Sequence, residues 1–141
     1  MSASSAAAAN NLANAENIED FLAENQKYML GMSLSKYLML LLQQKKLKRA
    51  AVVRDSGLEK AYVYQIFDGK KRPSRDKLIA IAFGLHLNEE ETQRMLKLGG
   101  WSELYPRVER DAVILFAIQR GKDIAATNDS LYSNGFPTLL D

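Results

Sequence analysis

The chain has 141 residues, is 47% hydrophobic, carries a formal net charge of +2, and contains no cysteine and a single histidine. That length holds one small domain with extensions and enough apolar content for a real core, with no room for a second enzyme-sized domain. Without cysteine there is neither a disulfide framework nor a thiolate metal site, and His86 alone cannot build a zinc site, so no metal and no cofactor is expected.

No stretch approaches the roughly 18 apolar residues of a membrane span. The start MSASSAAAANN lacks both the basic leader and the long apolar core of a secretion signal. A cytoplasmic address with no membrane partner is the expectation. The small net charge conceals a strong segregation: residues 1–33 hold one basic and four acidic side chains, residues 34–77 twelve and four, and residues 78–141 six and nine. Positive charge is therefore concentrated in the middle of the chain.

Taken in order, Ser2 to Asn17 is an Ala/Ser/Asn-rich tract without apolar period, and residues 1–17 are expected to be a disordered tail. Residues 18–33 carry Ile18, Phe21, Leu22 and Met29 to Met32, which suit a short amphipathic helix with Glu16, Glu19, Asp20 and Glu24 toward water. The next helix is expected over about Leu34 to Leu47, with Leu34, Tyr37, Leu38, Leu41 and Leu42 on one inward stripe. Met39 and Leu40 lie beyond that stripe and are expected under flanking helices, with a dimer contact as the alternative.

The stretch Arg49 to Ser74, RAAVVRDSGLEKAYVYQIFDGKKRPS, reads as two short helices around a glycine turn, followed by a basic exit loop. Val52 and Val53 end a short apolar face, Gly57 tolerates positive φ, and Leu58 re-enters the core. In the second helix, from Glu59 to Phe67, Val63, Ile66 and Phe67 fall at i, i+3 and i+4 and face inward. At about 100° per residue, Ala61 and Gln65 then point outward with Tyr62 and Tyr64 beside them. Glu59 stands where it can cap that helix, Asp68-Gly69 ends it, and Lys70, Lys71 and Arg72 follow at once.

The turn glycine, the inward Val63 and Ile66, and the exit Gly69, Lys70, Pro73, Ser74 together resemble the helix-turn-helix of the lambda-repressor-like, XRE-type regulators. The resemblance covers roughly Leu34 to Leu98. The longer runs YQIFDGKKRPSRDKL, ETQRMLKLGGW and LYPR are similar to a bacterial subgroup with an added helical tail. It implies an all-α, five-helix DNA-binding domain over residues 34–100, with a helical C-terminal extension over 101–141. The family often has Gln and Ala where this chain has Arg49 and Val53, so no glutamine-to-phosphate contact is carried over.

Beyond the motif, a helix from Ser74 to Leu85 is expected to bury Leu78, Ile81, Ala82 and Leu85, and another to begin at Asn88, where Asn88 and Glu91 form a capping pair. Gly99-Gly100 closes it, and Trp101 and Tyr105 are expected to pack in the following loop. Val108 to Gln119 is so apolar that it must be buried within the subunit or against another copy, which makes it the expected dimerisation element. A last helix is expected from about Asp123 to Ser133, ending at Asn134-Gly135.

The implied function is sequence-specific recognition of double-stranded DNA by a homodimeric transcriptional regulator, with the helix at 59–67 in the major groove. A glutamine amide pairs bidentately with adenine N6 and N7, which makes Gln65 the principal base reader. Ala61 meets a thymine methyl, Tyr62 and Tyr64 reach phosphate or base or else simply pack, Lys60 lies beside them, and Glu59 either caps its helix or accepts from cytosine N4. Lys48, Arg49, Lys70, Lys71 and Arg72, with Lys60, are the expected phosphate contacts. Glu59 and Asp68 weigh against nonspecific binding by repelling phosphate. The competing expectation is an interaction module in signalling, with the outward helix turned to a regulatory protein partner. Catalysis is not expected, since the chain has no cysteine nucleophile, one histidine and no phosphate-loop pattern.

Overall fold

The computed structural model describes Ile18 and residues 32–140, so the expected tail at 1–17 and nearly all of the expected helix at 18–33 lie outside the described residues. Among the described residues the chain is all-α, with seven helices and no strand: α1 (Leu34–Gln44), α2 (Arg49–Ser56), α3 (Lys60–Phe67), α4 (Arg75–Gly84), α5 (Glu89–Leu98), α6 (Glu109–Gln119) and α7 (Ile124–Ser133). None of these is long and apolar enough to cross a membrane.

Each helix is closed by a residue at positive φ, a glycine after five of them and Lys46 or His86 after α1 and α4. α1 buries the expected Tyr37, Leu38, Leu41 and Leu42 but ends at Gln44, not Leu47. Lys46 takes φ 55°, and the Lys46 and Leu47 amides donate back to Gln43 O and Leu42 O at 3.1 and 3.0 Å. That is a Schellman closure built on lysine, and without a glycine the expectation ran past it. α2 ends at Gly57, which adopts φ 73° and allows the chain to reverse into Leu58, itself buried. Val53 stays half-buried, so Val52 alone anchors that face.

α4 is the hub. Leu78, Ile79, Ala80, Ile81, Ala82, Phe83 and Gly84 are all buried, seven consecutive positions covering every side of a helix, which requires neighbours all round. It starts as its sequence dictates, with Ser74 Oγ accepting from the Lys77 amide. The α2 crossing is tightest at Gly84, where a Cβ would lie 2.8 Å from Val52 O and 2.9 Å from Val52 Cγ1, so the close approach depends on the missing side chain. α5 begins with the expected capping box: Glu91 N donates to Asn88 Oδ1 at 2.8 Å, and Asn88 N donates to Glu91 Oε1 at 3.0 Å.

Residues 101–140 are not an appendage, for Leu34–Asp141 clusters as one compact unit. Two Arg-Asp dipeptides interlock across α4 and α6. Arg75 donates to both carboxylate oxygens of Asp111 at 3.1 and 3.0 Å, and Arg110 donates to both of Asp76 at 2.9 and 3.0 Å. Arg75 also donates to Ser102 O and Glu103 O, and Arg110 to Pro137 O and Thr138 O, so the two guanidiniums hold the preceding loop and the final residues. Leu139 is buried, and its amide donates to Asn128 Oδ1 at 2.8 Å. Leu140 reaches the turn between α2 and α3, where its Cδ1 would stand 2.8 Å from a Cβ placed on Gly57.

One expectation for this half needs correction, and another resolves to one of its two alternatives. Tyr105 is 54% exposed, and Leu104 fills the loop instead, held by reciprocal 2.8 Å bonds between its backbone and the Gln93 amide. α6 buries Ile114, Leu115, Ala117 and Ile118 inside the subunit, yet leaves Phe116 54% exposed under the Arg120 guanidinium, 4.4 Å from the ring centroid. Its apolar run therefore serves the core first.

Candidate functional site

α3 is amphipathic in the sense its spacing predicts: Val63, Ile66 and Phe67 are buried while Ala61 and Gln65 are exposed. Gly69 at φ 74° closes it, with the Gly69 and Lys70 amides returning to Ile66 O and Gln65 O at 3.1 and 2.8 Å, so the exit loop leaves from a fixed point. Glu59 occupies the N-cap position with extended backbone, but its side chain makes no capping bond. The helix proper begins at Lys60, one residue later than expected. A glutamate carries one more methylene than the aspartate preferred at this position.

The two tyrosines beside Gln65 are half-buried and each has two cations near its ring centroid. Arg49 Cζ stands 4.5 Å and Lys60 Nζ 5.5 Å from the Tyr64 ring centroid. Lys71 Nζ and Lys77 Nζ stand 5.1 and 5.7 Å from that of Tyr62. Cations over a ring face are attracted by its quadrupole, so the rings fix where the positive charge collects. The resulting surface is a ridge of Ala61 and Gln65 with an aromatic and cationic cluster on either side.

The expected phosphate contacts divide into three kinds. Lys48, Lys60, Lys70 and Lys71 are exposed and, among the described residues, in no ion pair with a carboxylate within 4.0 Å. Arg49 is in an ion pair: its Nη1 donates to Asp68 Oδ1 at 3.1 Å while its face lies on Tyr64. Arg72 is anchored to the scaffold, with Cζ 4.6 Å from the Trp101 ring centroid and Nε and Nη2 both 3.4 Å from Gly99 O. Asp68 is thus neutralised by Arg49, while Glu59 makes no such pair among the described residues.

Lys77 was not singled out from sequence. It sits a full helix away from Tyr62, and no short-range spacing signals a contact between α3 and α4. Trp101 was expected only to pack; it also donates its indole N–H to Pro73 O at 3.1 Å and so supports the exit loop from below. A shallow cleft lined by Gly57, Leu58, Glu59, Tyr62, Lys77 and Leu140 lies at the start of α3.

The end of α2 is tied to the loop after α4 through Asp55, whose Oδ2 lies 3.0 Å from His86 Nε2. Hydrogen bonds from Arg54 and then from His86 hold the Asp55 carboxyl below its ordinary range. Among the described residues no group of three or more His, Cys, Asp or Glu side chains is placed to hold a metal ion. No protein-family model matches the chain, and neither does any curated protein or solved structure.

Proposed function

We propose that the protein is a sequence-specific double-stranded DNA-binding transcriptional regulator with a lambda-repressor-like, XRE-type domain, in which α3 enters the major groove. The observation that carries this reading is the exposed Ala61 and Gln65 ridge flanked by two tyrosines, each under two cations. Gln65 reads adenine through its amide, Ala61 contacts a thymine methyl, and Lys60, Lys70 and Lys71 neutralise phosphate. α2 lies across the backbone and the Gly57 turn sets the angle between the two helices.

One such domain grips few base pairs, and the reading includes a homodimer on two half-sites. Phe116 on α6 and Val108 at its N-cap are both exposed, which supports a contact between copies there. Sedimentation with and without DNA tests it, and a monomer under both conditions removes the dimer.

Anisotropy titration of genomic duplex fragments tests the function. Gln65→Ala is expected to reduce discrimination by roughly 1 to 3 kcal/mol, and replacing Lys70 and Lys71 by alanine to reduce the salt slope by about 2. Wild-type protein that ignores every duplex at low ionic strength overturns the reading. A second reading, an interaction module, draws on Met39 and Leu40, which are 44% and 39% exposed on α1 beside a cleft that they line with Leu42 and Leu47. It forecasts sequence-blind behaviour toward DNA in the same titration.

A further inference from the structure

We propose that Asp68 is a positioning residue for the ridge: it holds the Arg49 guanidinium over Tyr64, which fixes the Tyr64 edge of α3 and withdraws Arg49 from phosphate in the free protein. The inference rests on the DNA-reading function proposed above.

Both charged groups stand where helix electrostatics disfavour them. Arg49 opens α2, at the end of a helix that favours anions, and Asp68 is the C-cap of α3, at the end that favours cations. Each is the other's remedy at 3.1 Å. Tyr64 and Asp68 are four residues apart and therefore on one side of α3, and the Asp68 amide donates to Tyr64 O at 2.9 Å.

A guanidinium has an edge that donates hydrogen bonds and a flat face that stacks, and Arg49 uses the edge on Asp68 and the face on Tyr64 at once. The pair is half-exposed, with 35% and 45% of the two side chains accessible, so it contributes little to stability. What it does determine is where one cation and one aromatic ring sit beside Gln65. Paired with Asp68, Arg49 presents a largely neutralised charge and one donor fewer to a phosphate, so indiscriminate binding is weakened while the reading surface stays ordered.

The test uses the full chain, a selected operator duplex and a random duplex, titrated between 50 and 200 mM salt with wild type, Asp68→Asn, Asp68→Glu, Arg49→Ala and the Arg49→Ala/Asp68→Asn double variant. Asp68→Asn is expected to release Arg49 to phosphate and steepen the salt slope by about one, a roughly threefold greater loss of affinity over that range. The operator-to-random ratio is expected to fall about threefold or more, and Asp68→Glu to restore it. With Arg49 already alanine, Asp68→Asn is expected to leave that ratio unchanged, the non-additivity of residues acting through one another.

An equal effect of Asp68→Asn in both backgrounds means that the carboxylate merely repels phosphate, and overturns the positioning role. The Arg49 Nε–Hε resonance gives a readout without DNA: ordered in wild type and averaged in Asp68→Asn if the role holds, averaged in both if it does not. Wild type that binds no duplex overturns the functional reading itself, an outcome distinct from specific binding with additive variants.

Discussion

The arginines of α4 and α6 and the cations around α3 carry the same charge in opposite circumstances. Arg75 and Arg110 are bidentate to aspartates, their side chains 21% and 19% exposed, and each also spans two backbone carbonyls. Lys60 and Lys71 rest on tyrosine faces at 5.5 and 5.1 Å with their ammonium groups uncommitted to any carboxylate among the described residues. Arginine's planar fork suits a fixed, partly dry pairing, whereas a lysine on a flexible stem can move its charge toward a polyanion without unfolding anything. The molecule keeps its scaffold arginines paired and its ridge lysines available. Sequence counting, which gives twelve basic residues to 34–77, cannot tell the two apart.

The sharpest way to break that contrast is Asp111→Ala. Asp111 is 4% exposed and accepts from Arg75 and from the Tyr105 amide, so its loss leaves a partly buried guanidinium without its carboxylate. Urea denaturation is expected to show a loss of about 3 to 5 kcal/mol. A cost below about 1 kcal/mol would return the pair to the class of ordinary surface ion pairs.

Next in size is Gly84→Ala, which puts a methyl against Val52 O and Val52 Cγ1 at 2.8 and 2.9 Å. It is expected to cost about 1 to 3 kcal/mol by forcing α2 off α4, read as a lower midpoint with an unchanged denaturant slope. A neutral or stabilising result would mean that the α2 crossing yields easily.

Arg72 straddles the two classes and sharpens the comparison. It belongs to the exit loop by sequence but rests on Trp101 and Gly99 O. Arg72→Ala is expected to cost about 1 kcal/mol of stability through the lost cation–aromatic contact. The Lys70 and Lys71 replacements are expected to stay within about 0.5 kcal/mol, as exposed positions do. Thermal melts of the two variants side by side check the difference.

The smallest effect is expected at Asp55. Its folded-state value lies below that of the unfolded chain, so the carboxylate stabilises the fold above the ordinary aspartate range, and that stabilisation is lost as pH falls through the depressed value. Asp55→Asn is expected to be about 0.5 kcal/mol less stable than wild type at pH 7, with the gap closing as the pH falls through the depressed Asp55 value. A gap that stays constant with pH would detach the effect from the carboxyl charge.

What was legible in the sequence was periodic or punctuated. Val63, Ile66 and Phe67 defined the inner face of α3, Gly57 and Gly69 its limits, and Asn88 with Glu91 the start of α5, because helical spacing and caps act within a few residues. The end of α1 was missed because a lysine, not a glycine, adopts the left-handed conformation there. The interlock of Arg75 and Asp76 with Arg110 and Asp111 spans 34 to 36 residues, and the cation–tyrosine clusters join three helices and a loop. No local rule reaches that far. The outward direction of Ala61 and Gln65 was readable, but which cations stand beside them was not.

The position of Trp101 has an optical consequence. It is the only tryptophan in the chain, and its ring carries Arg72 while its indole N–H holds Pro73 O, so tryptophan emission reports on the root of the exit loop. On the proposed DNA-reading function, a duplex seated against the exit loop changes the surroundings of this fluorophore, and the unlabelled protein becomes its own gauge of occupancy.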